Sequence, residues 1–271
     1  LLNSCFDTML RIVFHHEGTV ITFSGDSILA SFPVWNRAEK CGGELLESME
    51  KYRRVVIMGK RFSIRASVVL GKGGWNHCII GSMARAHLLT CGELVKKMAD
   101  VEDTSSPGDL KTVSTDSESP PLPFQPPETS VDSFLSPGVM RLQPEYRPVT
   151  PVFIFTSHQG NTSGKTGALQ ELVKQIQVLL NQRGGFLHHI DDMHPDGTSI
   201  LALFGAPVSL GNDTLNAVLA AMDISGLQPR DFTLRIGIDS GYVYSGITGN
   251  MRRKHYTVIG DPVNTASRIS R

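Results

Sequence analysis

The sequence has no excess of either charge: 26 Lys and Arg stand against 26 Asp and Glu in 271 residues. A neutral chain lacks the electrostatic footprint of a protein whose main partner is nucleic acid or an anionic membrane. No apolar run approaches the roughly 18 residues that cross a bilayer, so the expectation is a cytoplasmic chain without a transmembrane segment. Cysteine is scarce. Cys5, Cys41, Cys78 and Cys91 are the only four, with no CxxC spacing, which favours reduced, buried thiols over disulfides or metal ligands. His77, Cys78, His87 and Cys91 match no finger or ribbon spacing. The first residue is not methionine, and the opening segment is expected to be a helix rather than a signal peptide. The opening "LLNSCFDTMLRIVFHH" sets Leu2, Phe6, Met9, Leu10 and Val13 at helical spacing, and the sequence is expected to begin and end inside domains.

One stretch invites a mistaken reading. "HQGNTSGKTGALQELVKQIQVLL" (158–180) contains Gly164-Lys165-Thr166, the second half of a phosphate-binding loop. That loop needs its first glycine six residues before the lysine, so that a ring of N–H groups surrounds a phosphate. Gln159 stands there and Gly160 comes one residue late. The near-match is read as accidental.

What is present is a repeat. "GSMARAHLLTCGELVKKMAD" (81–100) lies over "GNMRRKHYTVIGDPVNTASR" (249–268) without a gap, at an offset of 168. Upstream, "GDSILASF" (25–32) lies over "GTSILALF" (197–204). Between the copies, residues 102–146 are dense in Ser, Pro, Asp and Thr and read as a disordered linker. Short apolar hairpin strands ("TVITF", "ILASF", "SILALF") alternate with helical stretches such as "LVKQIQVLL". The pattern predicts an α/β architecture, an α+β sandwich with helices on one face of a sheet, in two ferredoxin-like halves at 1–101 and 147–271. Related halves in one chain favour a pseudo-twofold pair with function at the seam.

"RRKHYTVIGDPVNTASRIS" resembles the signature of class III nucleotidyl cyclases, and "GTVITFSGDSILASF" resembles their metal-site hairpin. Within that family, the two linked halves and "EYRPVTPVFIF" are most similar to the soluble, bicarbonate-responsive branch. The resemblance covers both halves and not the linker. It implies two cyclase domains forming a pseudo-heterodimer, the first truncated at its N-terminus and the second at its C-terminus. The implied reaction converts ATP to 3′,5′-cyclic AMP and pyrophosphate, with two Mg²⁺ (or Mn²⁺) ions.

By the same resemblance, Asp26 matches a metal carboxylate, and its counterpart in the second half is Thr198. Asn264 matches the ribose-orienting amide and Arg268 the guanidinium that stabilises the transition state; their first-half counterparts are Lys96 and Asp100. Positions i and i+4 share one helix face, so Asn264 and Arg268 can serve one substrate. Thr257 matches an adenine-selecting hydroxyl, and His189 stands nearest the family's adenine-contacting lysine, with no glutamate of the guanine-selective kind in "GGFLHHIDDMHPDG". Each lobe has thus lost what the other keeps.

Several positions depart from the family. The first metal carboxylate would precede Leu1, and the basic phosphate contact of the first half falls on Ser67, with Arg235 at the equivalent place in the second. The lysine and arginine of bicarbonate sensing fall on Thr22 and Ala99. Bicarbonate regulation is therefore expected to be lost or altered. The departures leave a second reading open: a cyclase-derived module that binds a nucleotide or a partner without turnover.

Overall fold

A computed structural model of the chain describes residues 1–82, 85–116, 143–158 and 165–271. The first elements are helix α1 (Leu2–His15), strands β1 (Thr19–Ser24) and β2 (Ser27–Ser31), and helix α2 (Trp35–Met49). There follow β3 (Val55–Ile57), β4 (Lys60–Phe62), β5 (Val68–Lys72), β6 (Asn76–Ser82), β7 (Arg85–Cys91), α3 (Glu93–Asp103) and β8 (Leu110–Ser114). The second half contains β9 (Glu145–His158), α4 (Lys165–Gln182), β10 (Phe186–Asp191), β11 (Thr198–Phe204), α5 (Asp213–Ser225), β12 (Phe232–Ile238), β13 (Gly241–Gly249), β14 (Lys254–Ile259) and α6 (Asp261–Ser270). The loop that mimics a phosphate-binding loop, at 159–164, lies outside the described residues.

These elements form two compact units. The first gathers the described residues of Leu1–Trp75 and Gly92–Pro120, together with Thr248–His255. The second gathers Asn76–Cys91, the described residues of Pro121–Ile247, and Tyr256–Arg271. Neither unit is a contiguous segment.

In the second unit a long central strand organises the sheet. β9 pairs antiparallel with β11 along one edge and with β12 and β13 along the other, and β10 and β14 flank the set. Helices α4 and α5 bury one face, where Ile154, Ile176, Leu180, Ile200, Phe204 and Ala220 are almost wholly removed from water. The opposite face carries Val149, Leu201, Leu203, Val243, Tyr256 and Val258. Cross-strand partners share a face, and Phe153 partners both Leu201 and Gly237. Gly237 therefore lies on the face away from α4 and α5, and α6 packs against it. A Cβ there would collide with the carbonyl of Ala266 and come within 2.6 Å of the Ser270 nitrogen. Helices thus approach the sheet from both sides, where one covered face was expected; the missing side chain of Gly237 makes room for the second approach.

The first unit is built differently. Its described strands make three separate pairings, β1 with β2, β3 with β4, and β5 with β8. Its core is Phe6, Leu10, Val13, Val20, Phe23 and Cys41, and burial pushes the Cys41 thiol up to about 12. The second ferredoxin-like sheet is not assembled among the described residues. Part of the segment read as a disordered linker is ordered. α3 continues to Asp103, and Leu110–Ser114 forms β8, parallel to β5. The edge of β5 supplies main-chain partners (Val68 N to Asp109 O, 2.9 Å; Thr115 N to Lys72 O, 3.0 Å), so β8 needs little apolar burial of its own.

The repeat survives as geometry. Gly81 and Gly249, equivalent at the offset of 168, have φ of 115° and 113°. At each, a Cβ would strike the carbonyl of an equivalent arginine, Arg85 or Arg253. Only glycine tolerates that combination. The hairpins carrying these glycines are also exchanged between units. In the second unit, Gln170 brackets Gly81 with hydrogen bonds to its N–H (2.8 Å) and carbonyl (2.7 Å), and Gln177 donates to the Arg85 carbonyl at 2.8 Å. In the first unit, Arg252 lies 4.3 Å from the Phe14 ring centre and His255 stacks on Phe23 at 5.2 Å.

Candidate active site

In the second unit, Gly260 ends the approach from β14 and Asp261-Pro262 open α6, proline occupying the first turn where no helical N–H is missed. Pro262, Ala266 and Ser270 form the buried stripe of α6. Asn264 and Arg268 fall outside that stripe and are exposed. Arg268 Nε donates to the Asn264 carbonyl at 3.3 Å, so the two share one face of the helix as the spacing predicts. Arg235 is also exposed and lies 5.0 Å from the Phe155 ring centre.

Thr257 sits in β14 between Tyr256 and Val258 and is 1% exposed. Its neighbours point into the cluster away from α4, so alternation turns Thr257 to the other side of the strand. His189 pairs with Leu201 across β10 and β11, beside a bulge between Leu187 and His189. Its Nε2 is buried and has no hydrogen-bond partner among the described residues. Burial lowers the pKa of this imidazole, and the Asp191 carboxylate partly opposes the shift. No hydrogen bond joins His189 to Thr257 among the described residues. His87 of the β6–β7 hairpin carries a second buried Nε2 with no hydrogen-bond partner among the described residues. Its pKa is driven well down by burial, with Arg85 and His189 adding to the effect.

Thr198, the counterpart of Asp26, is fully buried and donates its hydroxyl to Asp192, itself 6% exposed. Sequence reasoning passed over Asp192. The signal was the doubled acid "IDD" at the end of an apolar strand, where a carboxylate beside a buried hydroxyl is a natural pair.

In the first unit, Asp26 is exposed at the turn between β1 and β2, after Gly25 with φ of 59°. The adjacent Ser27 donates to Glu102 at 2.9 Å. No group of three or more His, Cys, Asp or Glu side chains among the described residues is placed to hold a metal ion. The set His77, Cys78, His87 and Cys91 forms no such group either. Asp26 is thus a single carboxylate, which does not by itself fit a metal centre. Ser67 is half-buried, and Thr22 donates to the Phe23 carbonyl at 3.3 Å. No helix among the described residues is long and apolar enough to cross a membrane.

Residues 169–271 match the family model described as the adenylate and guanylate cyclase catalytic domain. The chain is 32% identical to adenylate cyclase type 10 of Oryctolagus cuniculus over 131 residues and 34% identical to that of Homo sapiens over the same length. These alignments take in 46% of this chain and only 8% of each relative. Among solved structures, the adenylyl cyclase CyaB from P. aeruginosa is similar at 22% identity and a TM-score of 0.40, over 48% of this chain and 74% of that one. The guanylyl cyclase Cya2 is similar at 29% identity and a TM-score of 0.36, over 48% and 72%. The segment that carries His189, Thr257, Asn264 and Arg268 is thus similar to the adenylate and guanylate cyclase catalytic domain.

Proposed function

We propose that the chain is the core of an adenylyl cyclase that closes ATP to 3′,5′-cyclic AMP and releases pyrophosphate at a site built jointly by its two related halves. The observation that carries this reading is the exposed pair Asn264 and Arg268 on one face of α6, inside the segment that matches the cyclase family. Asn264 would orient the ribose, fixing its 3′-oxygen in line with the α-phosphorus. Arg268, a rigid fork of donors, would stabilise the negative charge that grows on the α-phosphate as that bond forms. Thr257 and the neutral imidazole of His189 would read the adenine edge, each through a single hydrogen bond. Joint construction is supported by the complementary losses in the two halves.

Class III cyclases generally use divalent metal ions, which activate the attacking hydroxyl and neutralise phosphate charge. Two such ions, Mg²⁺ or Mn²⁺, would be held with the help of Asp26, which does not make a metal centre by itself.

A second reading, a cyclase-derived module that holds nucleotide without turnover, is favoured by two specific observations. Ser67 stands where the resemblance places a basic phosphate contact, and Asp26 is a single carboxylate outside any group of three metal-binding side chains among the described residues. The deciding experiment measures cyclic AMP formed from Mn²⁺–ATP by a longer chain that includes the residues before Leu1, beside its Asn264→Ala and Asp26→Ala variants. Equal product from all three refutes the assigned roles. ATP binding without product supports the module, and a preference for GTP refutes the roles given to Thr257 and His189.

A further inference from the structure

Residues 50–67, between α2 and β5, contain the β3–β4 hairpin, whereas the matching passage of the second half, between α5 and β12, is only residues 226–231. The hairpin is therefore an addition that the repeated architecture does not require. Its sequence, "KYRRVVIMGKRFSIR" (51–65), carries Lys51, Arg53, Arg54, Lys60, Arg61 and Arg65 and no acidic residue. The chain-wide charge balance averages this patch away.

Three of these cations have local work. Arg53 pairs with Glu50 at 2.8 Å, Lys51 donates to Thr8 and covers the Tyr52 ring, and Arg65 lines a cavity with Glu47 and Glu50. Arg54, Lys60 and Arg61 are exposed and make no ion pair with a described residue. Among them stand apolar side chains turned to solvent: Val56 is 63% exposed, Met58 98% and Phe62 45%. Ile57 pairs with Lys60 across a two-residue turn at Met58 and Gly59, with φ of 49° and 75°. Asparagine or aspartate followed by glycine is the easy solution for such a turn; methionine in the left-handed region is uphill. Folding gives no reason for a bare methionine there.

We propose that the β3–β4 hairpin is a membrane-docking tip for an anionic lipid bilayer. Met58 and Val56 enter the interfacial layer, and Arg54, Lys60 and Arg61 meet the headgroup phosphates and carboxylates. A bilayer is favoured over an acidic protein or RNA because the tip carries an almost fully exposed thioether beside exposed Val56 and Phe62, apolar surface that an interfacial layer covers while the flanking cations reach its headgroups. Each basic residue at an anionic surface strengthens binding roughly five-fold, so three together contribute on the order of 100-fold, weakened by salt.

The test is co-sedimentation of the 271-residue chain with phosphatidylcholine vesicles, with and without phosphatidylserine, at low and high salt. The chain is expected to pellet with the phosphatidylserine vesicles and to be released by salt. Combined Arg54→Glu, Lys60→Glu and Arg61→Glu should weaken binding by at least about 100-fold. Met58→Asn suits the turn, so it should keep the melting temperature while weakening binding roughly ten-fold. Failure to pellet with phosphatidylserine vesicles overturns the proposal, as does undiminished binding by either variant. Capture by polyuridylate RNA that is tighter than vesicle binding and indifferent to Met58→Asn also overturns it. Should the triple variant fail to fold, Met58→Asn decides alone.

Discussion

Arg268 reaches back one turn and donates through Nε to the main-chain carbonyl of Asn264, 3.3 Å away. The bond uses one donor of the guanidinium and holds the group over the same helix face as the Asn264 amide. Both side chains are exposed, so neither contributes much to the core. In a longer chain that turns over ATP, Arg268→Ala and Asn264→Ala should each lower kcat by about 100- to 1,000-fold, the usual loss for one charge-stabilising donor. Their unfolding free energies should stay within about 0.5 kcal/mol of the parent. Product assays beside urea titrations of the same preparations check both halves of this expectation.

The close approach of α6 to Gly237 gives a different outcome. A methyl group at 237 would run into the Ala266 carbonyl and the Ser270 N–H, both main-chain atoms that no rotamer change can move. Gly237→Ala should cost about 2–3 kcal/mol by forcing the helix off the strand. It should also displace Asn264 and Arg268 without touching either. Thermal unfolding reads the first effect, and loss of nucleotide binding reads the second.

Thr198 hands its proton-bearing oxygen to a buried carboxylate, Asp192. Thr198→Val keeps the shape and removes the donor, leaving the carboxylate short of a partner. A loss of about 1–3 kcal/mol in a urea titration is expected. Replacing both residues together, with Thr198→Val and Asp192→Asn, should recover part of that loss, since the buried charge is then gone.

His87 and His189 both have pKa values held below the ordinary 6.5, chiefly by burial. The folded protein therefore takes up these protons later than the unfolded chain does. Above about pH 6.5 both states hold neutral imidazoles and the pair makes no pH-dependent contribution. As pH falls below that, the unfolded chain is protonated first and stability declines, by at most about 1.4 kcal/mol per pH unit for each histidine. Urea midpoints measured across this range should slope downward toward acid. His87→Asn should make the slope shallower.

Much of this architecture was legible in the sequence, and the reasons are local. Gly81 and Gly249 could be matched because each must hold a positive φ against an arginine carbonyl, a demand that only one residue type meets. Asn264 and Arg268 could be placed together because helical spacing alone fixes their common face. What escaped depends on partners distant in sequence. Leu110–Ser114 looks like linker until the edge of β5 is there to bond it. His189 could be aligned, but its burial beside His87 could not, since that neighbour arrives on a hairpin from the other copy. The cations of residues 51–65 vanish in a whole-chain sum that comes to zero.

The exchanged hairpins tie the inheritance of one copy to that of the other. Arg252 and Arg253 descend with the later repeat yet answer to Phe14 and the carbonyl of Ile21 in the earlier one. Gln170 and Gln177 in turn grip the backbone of a loop encoded upstream. A change at either end of these contacts is tolerated or rejected by a surface that a distant stretch of the chain supplies, so neither stretch is free to drift alone.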